Sequence, residues 1–305
     1  MTLFAFLRLT LVMLLWAVCF PLIVAGFAYA PHLTFAAMRA FIAGAALVGL
    51  GLALGRPIPR GVRVWGVVAL IGLGATSLAY LGMFHAAEFI SPGVATVIAN
   101  TQPLLAAVLA AMVLKEYIGS VGKLGLGLGF VGIVFIATPQ LLGDQAANYA
   151  LGVTYILLAA MGITVSNVLI RRIAGQVDAL MAMGFQMLIG GVPLAVVAVV
   201  FEEPMSIDWT GDFALILLAL SLFGSSLVYW LWFSVLENMP LNRANAFSFL
   251  VPVFGLSMGA LFFGETLGWP EFAGIGLTLI GIALVNRKLG GVRRRTTETN
   301  AHQKS

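Results

Sequence analysis

The residues of this chain that could do chemistry are polar and aromatic side chains set inside long apolar runs. Asn100, Thr101 and Gln102 stand beside Pro103, and Asn245 and Ser248 precede Pro252. A polar group surrounded by hydrocarbon is costly unless it meets a partner or water, so such residues mark an interior. Amides and hydroxyls grouped in this way can orient the ammonium and carboxylate of an amino acid. Their plainer use is hydrogen bonding between helices, often worth about 1–2 kcal/mol. The two prolines lack an N–H and free a carbonyl one turn earlier, which makes Pro103 and Pro252 the expected points of helix bending or gating.

Aromatic residues recur at helical spacing. Thr76, Ser77, Tyr80 and Phe84 share one face of a helix, Ser225, Ser226, Tyr229, Trp232 and Phe233 share another, and Trp16 and Phe20 lie four apart. A cavity lined by these rings would suit an apolar or aromatic amino-acid side chain, or a delocalised organic cation held over a ring face. Plain packing and an interfacial belt are the alternatives, and the belt suits Trp209 and Trp269 near helix ends. Arg39 is the one basic residue set well inside a span, six positions past its start. It either attracts a substrate carboxylate or snorkels to headgroups, and as a permanent cation it cannot shuttle protons. Gln186 lies opposite it 147 residues on, with Ser166 and Asn167 as further polar positions. His85 and Glu88 offer a place for proton coupling or, more simply, solvated loop residues; Glu116 and Glu265 read as helix caps.

The elements that must position these residues follow from composition. The 305 residues are 61% hydrophobic and 9% charged, against roughly 25% charged in ordinary soluble domains. No soluble fold of this size hides so much apolar surface, and in lipid the backbone must satisfy itself. The apolar runs are long enough to cross a bilayer as helices, and the short alternating strands of a barrel are absent. Ten helices are expected, over 7–27, 33–54, 64–84, 93–114, 122–138, 150–170, 179–201, 213–236, 244–263 and 269–285. The first ends in Ala-Tyr-Ala as a secretory signal does, but its apolar core is too long for one, so an uncleaved helix is expected.

Fifteen of the sixteen Lys and Arg fall in alternate loops and in the tail; Arg39 is the exception. The other loops, around His32, Ser91, Asp144, Glu202 and Glu265, hold none. By the positive-inside rule both termini are cytoplasmic and the protein is multi-pass in the cell's inner (plasma) membrane. The formal charge of +4 therefore reports topology rather than nucleic-acid binding. Residues 287–305 read as a disordered basic cytoplasmic tail.

A shift of 149 residues superposes the chain on itself. Tyr80 falls on Tyr229, Glu88 on Glu237, Pro103 on Pro252, Glu116 on Glu265, and Gly125, Gly127 and Gly132 on Gly274, Gly276 and Gly281; Gly44 meets Gly191 at a shift of 147. Five helices per repeat is an odd number, so residues 1–145 and 146–286 are expected to be inverted repeats. Substrate sites of such folds sit near the midplane between the halves. The expected fold is thus all-α and integral to the membrane, ten transmembrane helices around a central cavity.

Each half carries a helix that enters through a small-residue turn, contains a proline and closes on glutamate: SPGVATVIANTQPLLAAVLAAMVLKE and LNRANAFSFLVPVFGLSMGALFFGE. With WAVCFPLI and AMRAFIAG in the first two helices, the chain resembles the EamA-type families of the drug/metabolite transporter superfamily to about Val285. Within them it is most similar to YddG-type exporters of amino acids and related metabolites. The resemblance implies helices 1–4 and 6–9 around the cavity, with helices 5 and 10 outside.

The sequence has no G-x-x-x-x-G-K-[ST] loop for ATP, no metal-ligand spacing and a single cysteine, Cys19. No cofactor, metal or nucleic acid is expected, and no catalytic residues. With no carboxylate in mid-membrane, facilitative export by alternating access is favoured. Its partners are the bilayer and a small-molecule substrate, with Trp16, Phe20, Arg39, Thr76, Ser77, Tyr80, Asn100, Gln102, Asn167, Gln186, Tyr229, Trp232 and Ser248 as the expected contacts. Efflux of aromatic cationic drugs is the alternative, and a membrane-embedded enzyme a more distant one. The sequence leaves the oligomeric state open; a monomer suffices.

Overall fold

The apolar runs fold as helices in the computed structural model, which describes residues 3–102, 104–105, 120–141, 146–203, 206–239, 244, 246–264 and 267–289. In chain order these are α1 (Leu3–Gly26), α2 (His32–Ala53), α3 (Val62–Ala86), α4 (Pro92–Ala99), α5 (Ser120–Leu141), α6 (Ala146–Ile173), α7 (Ala179–Phe201), α8 (Gly211–Asn238), α9 (Leu250–Phe263) and α10 (Trp269–Leu289). Among the described residues, α1, α2, α3, α6, α7 and α8 are long and apolar enough to cross a membrane, while shorter apolar stretches fall within α5, α9 and α10. The start of the expected tail, Arg287–Leu289, continues α10.

The bundle is apolar outside and buries a set of polar side chains within a largely apolar core. Val199, Phe201 and Leu215 are 69%, 78% and 69% exposed, whereas Gln186, Ser225 and Thr76 are fully buried. Water would reject that outer surface and lipid accepts it. Close helix contacts depend on glycine. A Cβ on Gly44 would strike the Gly184 carbonyl, and one on Gly72 would strike the backbone of Gln186 and Gly190. These contacts bring α2 and α3 onto α7 with backbones almost touching.

Repeat-related helices run antiparallel to each other. On α5 and α10, Gly125 approaches Gly281 while Gly132 approaches Gly274, and a shift of 149 turns the first pair into the second. On α2 and α7, Gly44 packs on Leu188 and Gly191 on Phe41, a reciprocal pair at 147. Two short π-helical segments, Leu73–Leu78 in α3 and Leu222–Leu227 in α8, lie 149 residues apart.

The start of α2 is capped from the opposite half, and that of α7 by the residue just before it. Pro31 has no side chain to cap α2, and the Glu202 carboxylate accepts from Leu33 N at 2.7 Å, Thr34 N at 2.8 Å and Thr34 Oγ1 at 2.9 Å. A carboxylate there satisfies orphan N–H groups and complements the helix dipole. At the start of α7, Asp178 Oδ1 accepts from Leu180 N and Met181 N, and its other oxygen lies 3.8 Å from Arg56 Nε. Glu88, read from the sequence as a solvated loop residue, instead pairs with His32.

Candidate functional site

Helices α1, α2, α3, α4, α6, α8 and α9 line a partly open cavity of about 80 Å³. Its walls are largely aromatic. Trp16 stands edge-on to Trp232, ring centroids 5.1 Å apart, and to Tyr229 at 6.4 Å. The Trp232 indole donates to Asn167 Oδ1 at 2.9 Å, which fixes the ring, and Phe20 and Tyr80 complete the wall.

Arg39 enters from α2. It is 2% exposed, so it does not snorkel to headgroups. Its Nε donates to Ser225 Oγ at 2.8 Å and its Nη2 to the Gly224 carbonyl at 3.0 Å, with Cys19 Sγ at 3.4 Å. The guanidinium carbon lies 4.3 Å from the centre of the Tyr80 ring. Gly224 and Ser225 both lie in the π-helical segment of α8, whose wider turn presents them toward Arg39. Among the described residues no carboxylate pairs with Arg39, and its Nη1 has no hydrogen-bond partner. Asn100, where α4 stops, likewise keeps its side-chain Nδ2 without a partner.

Ten of the expected contact residues line this cavity: Trp16, Phe20, Arg39, Tyr80, Asn100, Gln102, Asn167, Tyr229, Trp232 and Ser248. Thr76, Ser77 and Gln186 do not. Thr76 Oγ1 donates to Gln186 Oε1 at 2.9 Å and Ser77 Oγ to the Gly190 carbonyl at 2.7 Å, bonds that join α3 to α7. Thr76 and Ser77 sit in the first π-helical segment, where the α-helical rule that i and i+4 share a face fails. That wide turn separates them from Tyr80, which reaches the cavity. Pro252 is buried in the first turn of α9, directly after a 3-10 turn at Ala246–Phe249, where the missing N–H costs little. Pro103, Glu116, Asn245 and Glu265 lie outside the described residues.

The sequence reading missed Met13, Cys19, Met83, Thr96 and Gly224 among the lining residues. The repeat offset was a signal for some of them. At 147, Met13 pairs with Ala160, Trp16 with Ile163 and Phe20 with Asn167; at 149, Tyr80 pairs with Tyr229, Met83 with Trp232, Ala99 with Ser248 and Gln102 with Val251. All fourteen line the cavity.

Residues 3–138 and 150–287 each match the sequence model of the EamA-like transporter family. The chain belongs to the EamA-like transporter family. A chloroplastic WAT1-related protein of Arabidopsis thaliana is 33% identical over 258 residues, 82% of this chain but 62% of that protein, so the chain spans less than two thirds of this relative's length. An uncharacterized transporter of Synechocystis sp. is 32% identical over 268 residues, 83% of this chain and 81% of that protein. A crystal structure at 21% identity shares the fold, with a TM-score of 0.69 over 92% of this chain and 97% of that chain. As an EamA-family member the protein is a multi-pass membrane transporter in contact with the lipid bilayer, and the expected EamA-type resemblance holds.

Proposed function

We propose that this transporter exports amino acids, aromatic or otherwise neutral, and related small metabolites through the central cavity by alternating access, in the manner of YddG-type exporters. In this reading residues 1–145 and 146–286 are inverted five-helix repeats, giving ten spans with both termini cytoplasmic in the inner membrane. The antiparallel contacts Gly125–Gly281 and Gly132–Gly274 support that arrangement.

The observation that carries the functional reading is the cavity itself. It is shared by the two halves, walled by Trp16, Tyr229 and Trp232, and supplied with polar groups at Arg39, Asn100, Gln102, Asn167 and Ser248. Aromatic walls with a few placed polar groups suit a small molecule that has an apolar body and a polar head. Transport is facilitative, since no carboxylate lies in mid-span to carry a proton. Thr76, Ser77 and Gln186 then act by holding α3 on α7, and Pro103 and Pro252 remain the proposed points of helix bending or gating.

Purified protein reconstituted in liposomes and given a panel of radiolabelled amino acids, with and without a pH gradient, tests this. Saturable uptake without the gradient, weakened by Tyr80→Ala or Trp232→Ala, is the expected result. Absence of flux for every amino acid overturns the substrate assignment, and flux of aromatic cations instead would select drug efflux.

A further inference from the structure

We infer that the cavity selects its substrate by an acid group, bound at Arg39, and that an amino group is dispensable. The inference rests on reading the cavity as the substrate site. Arg39 carries a permanent charge, is 98% buried, and is held by neutral partners alone: Ser225 Oγ, the Gly224 carbonyl, Cys19 and the face of Tyr80. These contacts fix the guanidinium in place without neutralising it. A buried charge without a counter-ion is strongly unfavourable, so the site is incomplete until an anion enters. Nη1 is the donor left for that anion, and another buried donor without a hydrogen-bond partner, Asn100 Nδ2, belongs to the same cavity wall.

The complementary group for an ammonium is missing. Among the described residues no Asp or Glu lines the cavity, and every carboxylate among them lies near a helix end or in a loop. The repeat does not duplicate the charge either. The position equivalent to Arg39 is Gln186, turned away to accept from Thr76. One cation on one side of a two-fold cavity, facing indole and phenol walls, orients a ligand with one acid end and an apolar body. The substrate class is therefore aromatic or apolar monocarboxylates, whether or not they carry an α-amino group, and organic cations are rejected by like charge.

Three tritiated compounds with the same ring separate the possibilities: 3-phenylpropionate, L-phenylalanine and phenethylamine, each measured for equilibrium binding to the full-length protein in detergent. Both acids are expected to bind saturably and the amine not. Arg39→Gln should weaken both acids on the order of thirtyfold or more, as loss of a buried charged partner does, and Arg39→Lys should restore part of it. The unaltered protein decides the question even where Arg39→Gln fails to fold. Binding of phenethylamine on a par with the acids overturns the inference, as does full acid binding by a folded Arg39→Gln protein or no binding of 3-phenylpropionate. Liposome flux separates this from the transport reading. Amino acids that move without competition from 3-phenylpropionate sink the inference alone, and acids that bind while no amino acid moves leave it standing and sink amino-acid export.

Discussion

Tyr80 and Tyr229, 149 residues apart, each place their hydroxyl on the π-helical segment of the opposite half. Tyr80 Oη lies 2.7 Å from Ser225 Oγ, and Tyr229 Oη donates to the Ala75 carbonyl at 2.9 Å. Both rings line the cavity. The wide turns present a hydroxyl and a carbonyl to the tyrosines, which join the halves beside the candidate substrate site.

Removing either hydroxyl keeps the ring and deletes one cross-half bond. Tyr229→Phe and Tyr80→Phe should each lower stability by about 1 kcal/mol, the usual net value of a buried hydrogen bond. Thermal unfolding in detergent checks this, and an unchanged midpoint in both variants would show that the bonds contribute nothing.

The Trp232–Asn167 bond fixes the indole wall. Trp232→Phe keeps an aromatic surface but loses the donor, and binding of L-phenylalanine should weaken by about fivefold. Trp232→Ala should weaken it further. Equal affinity in all three proteins would remove Trp232 from the site.

Glu202 caps a helix in the other half of the chain. Glu202→Ala should cost about 1–2 kcal/mol, the range of a lost helix cap carrying a favourable charge. Glu203→Ala, at an exposed neighbour, should stay within about 0.5 kcal/mol. Equal unfolding midpoints for the two variants would contradict the capping role.

Gly132 faces Thr278 and the Gly274 carbonyl across the α5–α10 contact, while Gly127 and its repeat mate Gly276 face open space. Gly132→Leu should destabilise the protein by about 1–3 kcal/mol through overpacking. Gly127→Ala and Gly276→Ala should each add about 0.5–1 kcal/mol by raising helix propensity. A stable Gly132→Leu protein would mean that α5 and α10 do not pack through this face.

The charge pattern predicts sidedness. In a Cys19→Ser background, a membrane-impermeant maleimide added to intact cells should label Glu203→Cys and not Thr297→Cys. The reverse pattern would invert the topology.

The sequence by itself determined the membrane setting, the family and most of the helix positions. Hydropathy over some twenty residues is a local property, and hydrocarbon leaves the backbone few alternatives to helix. The 149-residue repeat, and with it the pairing of Tyr80 with Tyr229, was legible for the same reason. Only the tertiary structure decided which polar residues meet the cavity. The π-helical turns break the spacing rule that grouped Thr76 and Ser77 with Tyr80, so those hydroxyls serve α7 instead. It also decided the state of Arg39. A sequence places that cation inside a span, but whether it reaches the headgroups or stays buried depends on Ser225 and Gly224, some 185 residues away, being turned toward it by a wide helical turn. That is a property of packing between distant segments, and no local pattern encodes it.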